Sequence, residues 1–155
     1  MSLTIDIQRA CMFHDTPSDI NIQRWCEAAL KGRSTKNELN IRIVEEHESA
    51  KINLQFRSKS KSTNVLSFPF EGKVPQQLPI LGDLVICAPV VNFEAEEQQK
   101  SAEAHWAHMV VHGILHLLGF DHCDDNGAES MELLETEILL GMGYSSPYQS
   151  TTEKI

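Results

Sequence analysis

The sequence predicts an α+β fold: a small mixed four-stranded sheet packed with about five helices, in a single domain over residues 1–155. Three observations predict it. Four short stretches alternate or run apolar as strands do, and five longer stretches place apolar residues at helical spacing. Strands and helices mix without regular βαβ alternation, and no internal repeat or low-complexity tract is present. A chain of 155 residues is long enough to bury a core without covalent staples.

The elements follow in order. Leu3-Thr4-Ile5-Asp6-Ile7 alternates and reads as a strand. Pro17 to Ala29, with Ile20, Trp25 and the Ala28–Leu30 cluster, reads as a helix stopped by Gly32. Leu39 to Val44 alternates as a half-buried strand, and Glu46 to Phe56 is helical, with Ile52 and Phe56 four apart. Thr63 to Phe68 is β-rich and closed by Pro69. Gly72, Pro75 and Pro79 make residues 71–80 a loop. Leu81 to Cys87 reads as a short strand broken open at Gly82-Asp83. Pro89 stands where a helix would start, and Val90 to Lys100 continues it. Ser101 is placed to cap a long helix through Trp106, Met109, Val110 and two histidines. Asp121 to Asp125 is a loop; Asn126 and Glu129 form a capping pair that opens a last helix through Met131, Leu134 and Ile138 to Gly141. The polar tail from Ser145 is expected to fray.

Composition narrows the classes. No run approaches the roughly 18 apolar residues of a membrane span, and Met1 to Asp6 reads as lacking a secretory leader, so no membrane partner is expected. Cys11, Cys26, Cys87 and Cys123 form no Cys-x-x-Cys pair and read as reduced thiols of a cytoplasmic protein. The net charge of −9 argues against nucleic acid, but its distribution does not. Residues 1–73 hold 11 Lys and Arg against 9 acids, whereas residues 74–155 hold 2 against 13. The first half can therefore offer a local basic surface to a polyanion, densest at Arg57-Ser58-Lys59-Ser60-Lys61. Such a run is also the ordinary composition of a solvated loop.

The most informative stretch is His112-Gly113-Ile114-Leu115-His116-Leu117-Leu118-Gly119-Phe120-Asp121-His122. His112 and His116, four apart on a helix, aim two imidazoles at one point. Gly119 can adopt φ > 0 and end the helix, letting His122 return as a third donor. Three neutral imidazoles suit one Zn²⁺ ion, and three protein ligands leave one coordination position open, as catalytic zinc sites require. From the chain's His and Gly frequencies this spacing arises by chance in roughly one chain in a thousand. His108, one turn earlier, competes for the same ion, but the Gly119 turn favours His122 and leaves His108 as an outer or packing residue. Asp121 can hydrogen-bond a ligating imidazole or be a surface acid, and Asp83 can line the cleft or be a plain turn acid. Cys123 reads as a bystander, and His14, His47 and His105 as surface histidines. Ser67 has no paired base within sequence reach.

The same eleven residues are similar to the hallmark of the YbeY family, His-Gly-x-Leu-His-Leu-x-Gly-aromatic-Asp-His. A second segment, Thr63-Asn64-Val65-Leu66-Ser67-Phe68-Pro69 followed by Leu81-Gly82-Asp83, resembles that family's Thr-Asp/Asn-Val-Leu-Ser-Phe-Pro stretch. The resemblance implies an α+β fold, zinc at the histidines, and cleavage of single-stranded RNA. It further implies small-subunit ribosomal RNA 3′-end maturation, ribosome quality control, and ribosomal RNA, ribosomal proteins or the ribosome as partners. It also matches Arg57 to a family arginine tied to activity. One segment departs: where the family usually has Gly-Lys-Asp-x-Pro-Thr, this chain has Ser58-Lys59-Ser60-Lys61-Ser62-Thr63. A looser and more basic loop is the expectation.

The array also resembles the metzincin protease pattern His-Glu-x-x-His-x-x-Gly-x-x-His, but Gly113 stands where the general-base Glu would be. General-base catalysis is worth about 10²–10⁴-fold, so a zinc metalloprotease-like hydrolase is the weaker alternative. A ribosome assembly factor with a structural zinc is another. For a phosphodiester, charge spread over oxygens is met by cations, which gives the metal at His112 and His116 and the planar Arg57 fork the catalytic roles.

Overall fold

The structure is a computed structural model and describes residues 2–12, 14–70, 78–120 and 125–148, the side chains of 125 and 126 excepted. In chain order the elements are β1 (Thr4–Ala10), α1 (Asp19–Leu30), β2 (Glu38–Val44), α2 (Glu46–Arg57), β3 (Val65–Pro69), β4 (Ile80–Cys87), α3 (Ala88–Glu97), α4 (Ala102–Leu117) and α5 (Asp125–Gly141). The sheet order is β1-β2-β4-β3. β1 and β2 are parallel, β2 and β4 are parallel, and β3 runs antiparallel to β4. The predicted α+β class, mixed four-stranded sheet and five helices are all present among the described residues.

Alternation decides which face of the sheet each residue serves. On β2, Leu39, Ile41 and Ile43 are buried while Glu38 and Asn40 are exposed. On β3, Val65 and Ser67 meet α4 at Gly113, while Phe68 turns the other way onto Phe56 of α2, with ring centroids 5.2 Å apart. α4 is packed by α1, α3, α5 and β3, so every residue from His105 to Val111 is buried. Trp25 and Trp106 are buried in the same core, and each indole N–H donates, to the Tyr144 hydroxyl at 3.0 Å and to Asn92 Oδ1 at 2.8 Å.

Local chemistry sets the ends. Ser18 caps α1, its hydroxyl accepting from the Asn21 amide at 3.2 Å, so Pro17 precedes the helix instead of opening it. Ser101 caps α4 as read, accepting from Ala104 at 3.1 Å. α3 begins at Ala88 with Pro89 in its first turn and ends at Glu97, short of Lys100, because Gln99 turns left-handed at φ 55°. β4 runs on through Gly82-Asp83 and pairs on both edges, but its register on β2 slips by one residue between Ile80 and Gly82, and Gly82 sits so close to Phe68 O that a Cβ would lie 2.4 Å from it. No helix among the described residues is long and apolar enough to cross a membrane.

Candidate metal centre

α4 ends where the site begins. Leu118 is its C-cap, Gly119 follows at φ 98°, the Gly119 amide donates to His116 O at 3.0 Å and the Phe120 amide to Leu115 O at 3.0 Å. This pair of bonds is a Schellman closure, the turn expected from Gly119. His112 and His116 stand on one face of the last two turns, with their Nε2 atoms 3.1 Å apart. Two imidazole nitrogens on one tetrahedral zinc at 2.0–2.1 Å would be separated by about 3.3 Å. The pair therefore fits a single ion as it stands. His122, Asp121 and Cys123 lie outside the described residues, as do the 71–77 part of the expected loop and the side chain of Asn126.

Behind His112 lies a carboxylate that the sequence reading missed. Glu135 of α5 is fully buried and its Oε2 is 2.7 Å from His112 Nδ1. His108 Nε2 is 3.4 Å from the other oxygen, and the Tyr148 hydroxyl donates to that same oxygen. A carboxylate only accepts, so His112 carries its proton on Nδ1, and its Nε2 is an acceptor 3.1 Å from His116 Nε2. Burial pushes the Glu135 carboxyl up, but the hydrogen bonds from His108, His112 and the Tyr148 hydroxyl outweigh it and draw it down to about 2. Burial lowers the His108 pKa against the opposing pull of Glu135. His108, His112 and Glu135 offer ligand atoms within 4.8 Å of one another and could hold a metal ion. The 2.7 Å Glu135–His112 contact is shorter than two ligands of one ion sit, and is a hydrogen bond.

The signal for Glu135 was present in the sequence. It stands among Met131, Leu134, Ile138 and Leu139, the buried stripe of an amphipathic helix, where an acid needs a partner. The expectation of a tail frayed from Ser145 is corrected as far as Tyr148, whose hydroxyl donates to Glu135. His105 corrects a second expectation. It is 2% exposed, not a surface residue, with Nε2 donating to Glu94 Oε1 at 2.9 Å and Lys100 Nζ 3.3 Å from Nδ1. Of the other two, His47 is exposed, while His14 is half-buried and 2.9 Å from Glu45.

Arg57, the last residue of α2, lines the same cavity as the histidines, a space of about 550 Å³ that also takes in Asn53, Lys59, Asn64 and Ser67. The loop beyond Arg57 is more tightly held than its composition suggests. Ser58 takes the left-handed turn at φ 58° despite its side chain. Asn53 donates to Lys61 O at 2.9 Å, and Ser49 exchanges hydrogen bonds with Thr63 N and O at 3.0 and 3.1 Å. Ser49 and Asn53 are the buried residues of α2, so its inner face is a polar clamp on the basic loop. Ser67 donates to Gly113 O at 3.0 Å. Asp83 lines a different cavity, with Asn40 and Phe68, and accepts from Asn40 at 2.9 Å. Gly113 is packed against the sheet: a Cβ there would stand 2.9 Å from Leu84 and 3.2 Å from Val65. A side chain at that position would have to displace the ends of Leu84 and Val65.

An α+β protein with a histidine–carboxylate cluster opening onto an arginine- and lysine-edged cavity is what fold and site define. The family model described as Endoribonuclease YbeY matches residues 8–143, and the chain belongs to this endoribonuclease family. Membership supports an endoribonuclease role in ribosomal RNA maturation, hence an RNA substrate. The solution structure of TM1509 from Thermotoga maritima is similar in fold, with a TM-score of 0.57 at 24% identity over 94% of this chain and 99% of that one.

Proposed function

We propose that this chain, as one nuclease domain over residues 1–155, is a zinc-dependent endoribonuclease of the cytoplasm. It would cut single-stranded RNA in small-subunit ribosomal RNA 3′-end maturation and ribosome quality control, with ribosomal proteins or the ribosome as partners. The observation that carries the reading is the 3.1 Å approach of the His112 and His116 Nε2 atoms in the cavity that Arg57 and Lys59 edge. His112, His116 and His122 are the residues that would hold one Zn²⁺ ion, His122 on the strength of the family motif. When bound, that ion supplies Lewis acidity toward a phosphodiester oxygen and a nucleophile active near neutral pH.

The chain's own residues do the rest. Glu135 keeps the His112 proton on Nδ1, away from the cavity. Arg57 offers a planar fork of donors matched to phosphate oxygens, and Lys59 a second cation to hold the strand. Ser49 and Asn53, on the helix that ends at Arg57, fix the loop that bears Lys59 at the cavity edge. Gly113 favours this reading over a metalloprotease, because the residue beside His112 has no carboxylate to serve as that mechanism's base.

The test pairs metal analysis with cleavage of a short single-stranded RNA and of a peptide, comparing wild type with His116→Ala. The expected result is about one zinc per wild-type chain, RNA cut and peptide intact, with both zinc and cleavage lost in the variant. Zinc-loaded protein that binds ribosomes and cleaves no RNA would favour the assembly-factor alternative instead.

A further inference from the structure

Glu135 is reached by three side chains from three places in the sequence. His112 Nδ1 is 2.7 Å from Oε2, His108 Nε2 is 3.4 Å from Oε1, and the Tyr148 hydroxyl donates to Oε1. Tyr148 stands beyond α5, half-exposed, yet its hydroxyl is also 3.3 Å from His108 Nε2 and its ring meets the His108 ring edge-on at 5.3 Å. The tyrosine thus spans from solvent to a carboxylate with no exposed surface of its own. A buried carboxylate with two oxygens can swing about its last torsion, and a donor on the second oxygen fixes the first.

We infer that Tyr148 and Glu135 are positioning residues of the metal centre, the C-terminal segment locking the carboxylate that holds His112 in its Nδ1–H tautomer with Nε2 turned to the cavity. This rests on the proposed metal site, and it adds a part of the chain that the histidine motif does not contain. His108 belongs to the same lock: it contacts Glu135 and Tyr148 and holds no place on the cavity wall. The chemistry is that of a carboxylate behind a ligating imidazole, whose loss weakens metal binding by roughly 10–100-fold.

The experiment uses the full chain. Zinc affinity is measured by competition with a chromophoric chelator for wild type, Tyr148→Phe, Glu135→Met and the control Tyr144→Phe. The control removes a comparable hydroxyl, bonded to Trp25 and Glu103 away from the centre. Tyr148→Phe is expected to weaken zinc binding about 10-fold and Glu135→Met up to about 100-fold, with Tyr144→Phe unchanged. A second measurement needs neither metal nor variant: ¹⁵N shifts of the His112 ring in zinc-free wild type should report a proton on Nδ1. Tyr148→Phe with wild-type zinc affinity, or a zinc-free His112 protonated on Nε2, overturns the inference. If wild type holds no zinc, the metal reading fails by itself, and the tautomer measurement still decides the lock.

Discussion

Two of the histidine–glutamate pairs on α4 are built to opposite ends. At its buried start, His105 gives one ring nitrogen to Glu94 and the other to Lys100, and 2% of it is exposed. Two turns on, His112 gives Nδ1 to Glu135 and keeps Nε2 beside the Nε2 of His116 on the cavity wall. Both carboxylates are held below their usual range against the opposing pull of burial, Glu94 by His105 and Asn64, Glu135 by His108 and His112. Residue type, helix and partner are alike. What separates the two is the partner of the second ring nitrogen, a lysine for His105 and another imidazole on the cavity wall for His112.

The comparison can be broken most directly by truncation. His116→Ala should lower RNA cleavage by at least about 10³-fold, the scale of losing an ion that acidifies the nucleophile. Its thermal midpoint without zinc should stay near wild type. His105→Ala should do the reverse, keeping zinc and cleavage in the folded fraction while losing about 2–3 kcal/mol in urea unfolding, because Glu94 and Lys100 lose their shared partner. Equal losses of activity in both variants would erase the distinction.

Arg57→Glu sharpens it from the other wall of the cavity. Removing a cation aimed at charge that develops on phosphate oxygens should cost about 10²-fold in kcat/KM with zinc content unchanged. Full activity in that variant would remove Arg57 from the chemistry.

Acid probes the Glu135 pair next. The Glu135 carboxyl lies at about 2 in the folded protein against an ordinary 4.5. A depressed pKa means the stability it contributes is complete above about 4.5 and is lost as the pH falls through 2. Urea midpoints of zinc-free protein between pH 6 and pH 2 should show that decline, and Glu135→Met should flatten it. The smallest effect belongs to the loop: Ser58→Gly relieves a left-handed residue and should raise stability by about 0.5–1 kcal/mol, read by thermal unfolding.

Much of this architecture was legible in the residues. Strand alternation and the Ser101 cap are local signals, and they placed the four strands and the long helix within a few residues. The cluster of His112 and His116 needed only helical geometry. Gly82 misled, because a glycine that breaks a lone strand is also what lets β4 approach the Phe68 carbonyl. His105 misled because its burial is imposed by α3, whose Glu94 lies eleven residues back. Glu135 is 23 residues from His112, and Tyr148 is 13 further on; no local spacing rule joins them. Only the question of what satisfies an acid on an apolar stripe would have raised Glu135.

The absence of a side chain at Gly113 has a consequence for anyone who would redesign this protein. α4 rides so low on the sheet there that Ser67 reaches its main-chain carbonyl, and any graft of a proteolytic glutamate would first have to carve away Leu84 or Val65. Repurposing toward peptides therefore begins in the core beneath α4, before any chemistry at the cavity.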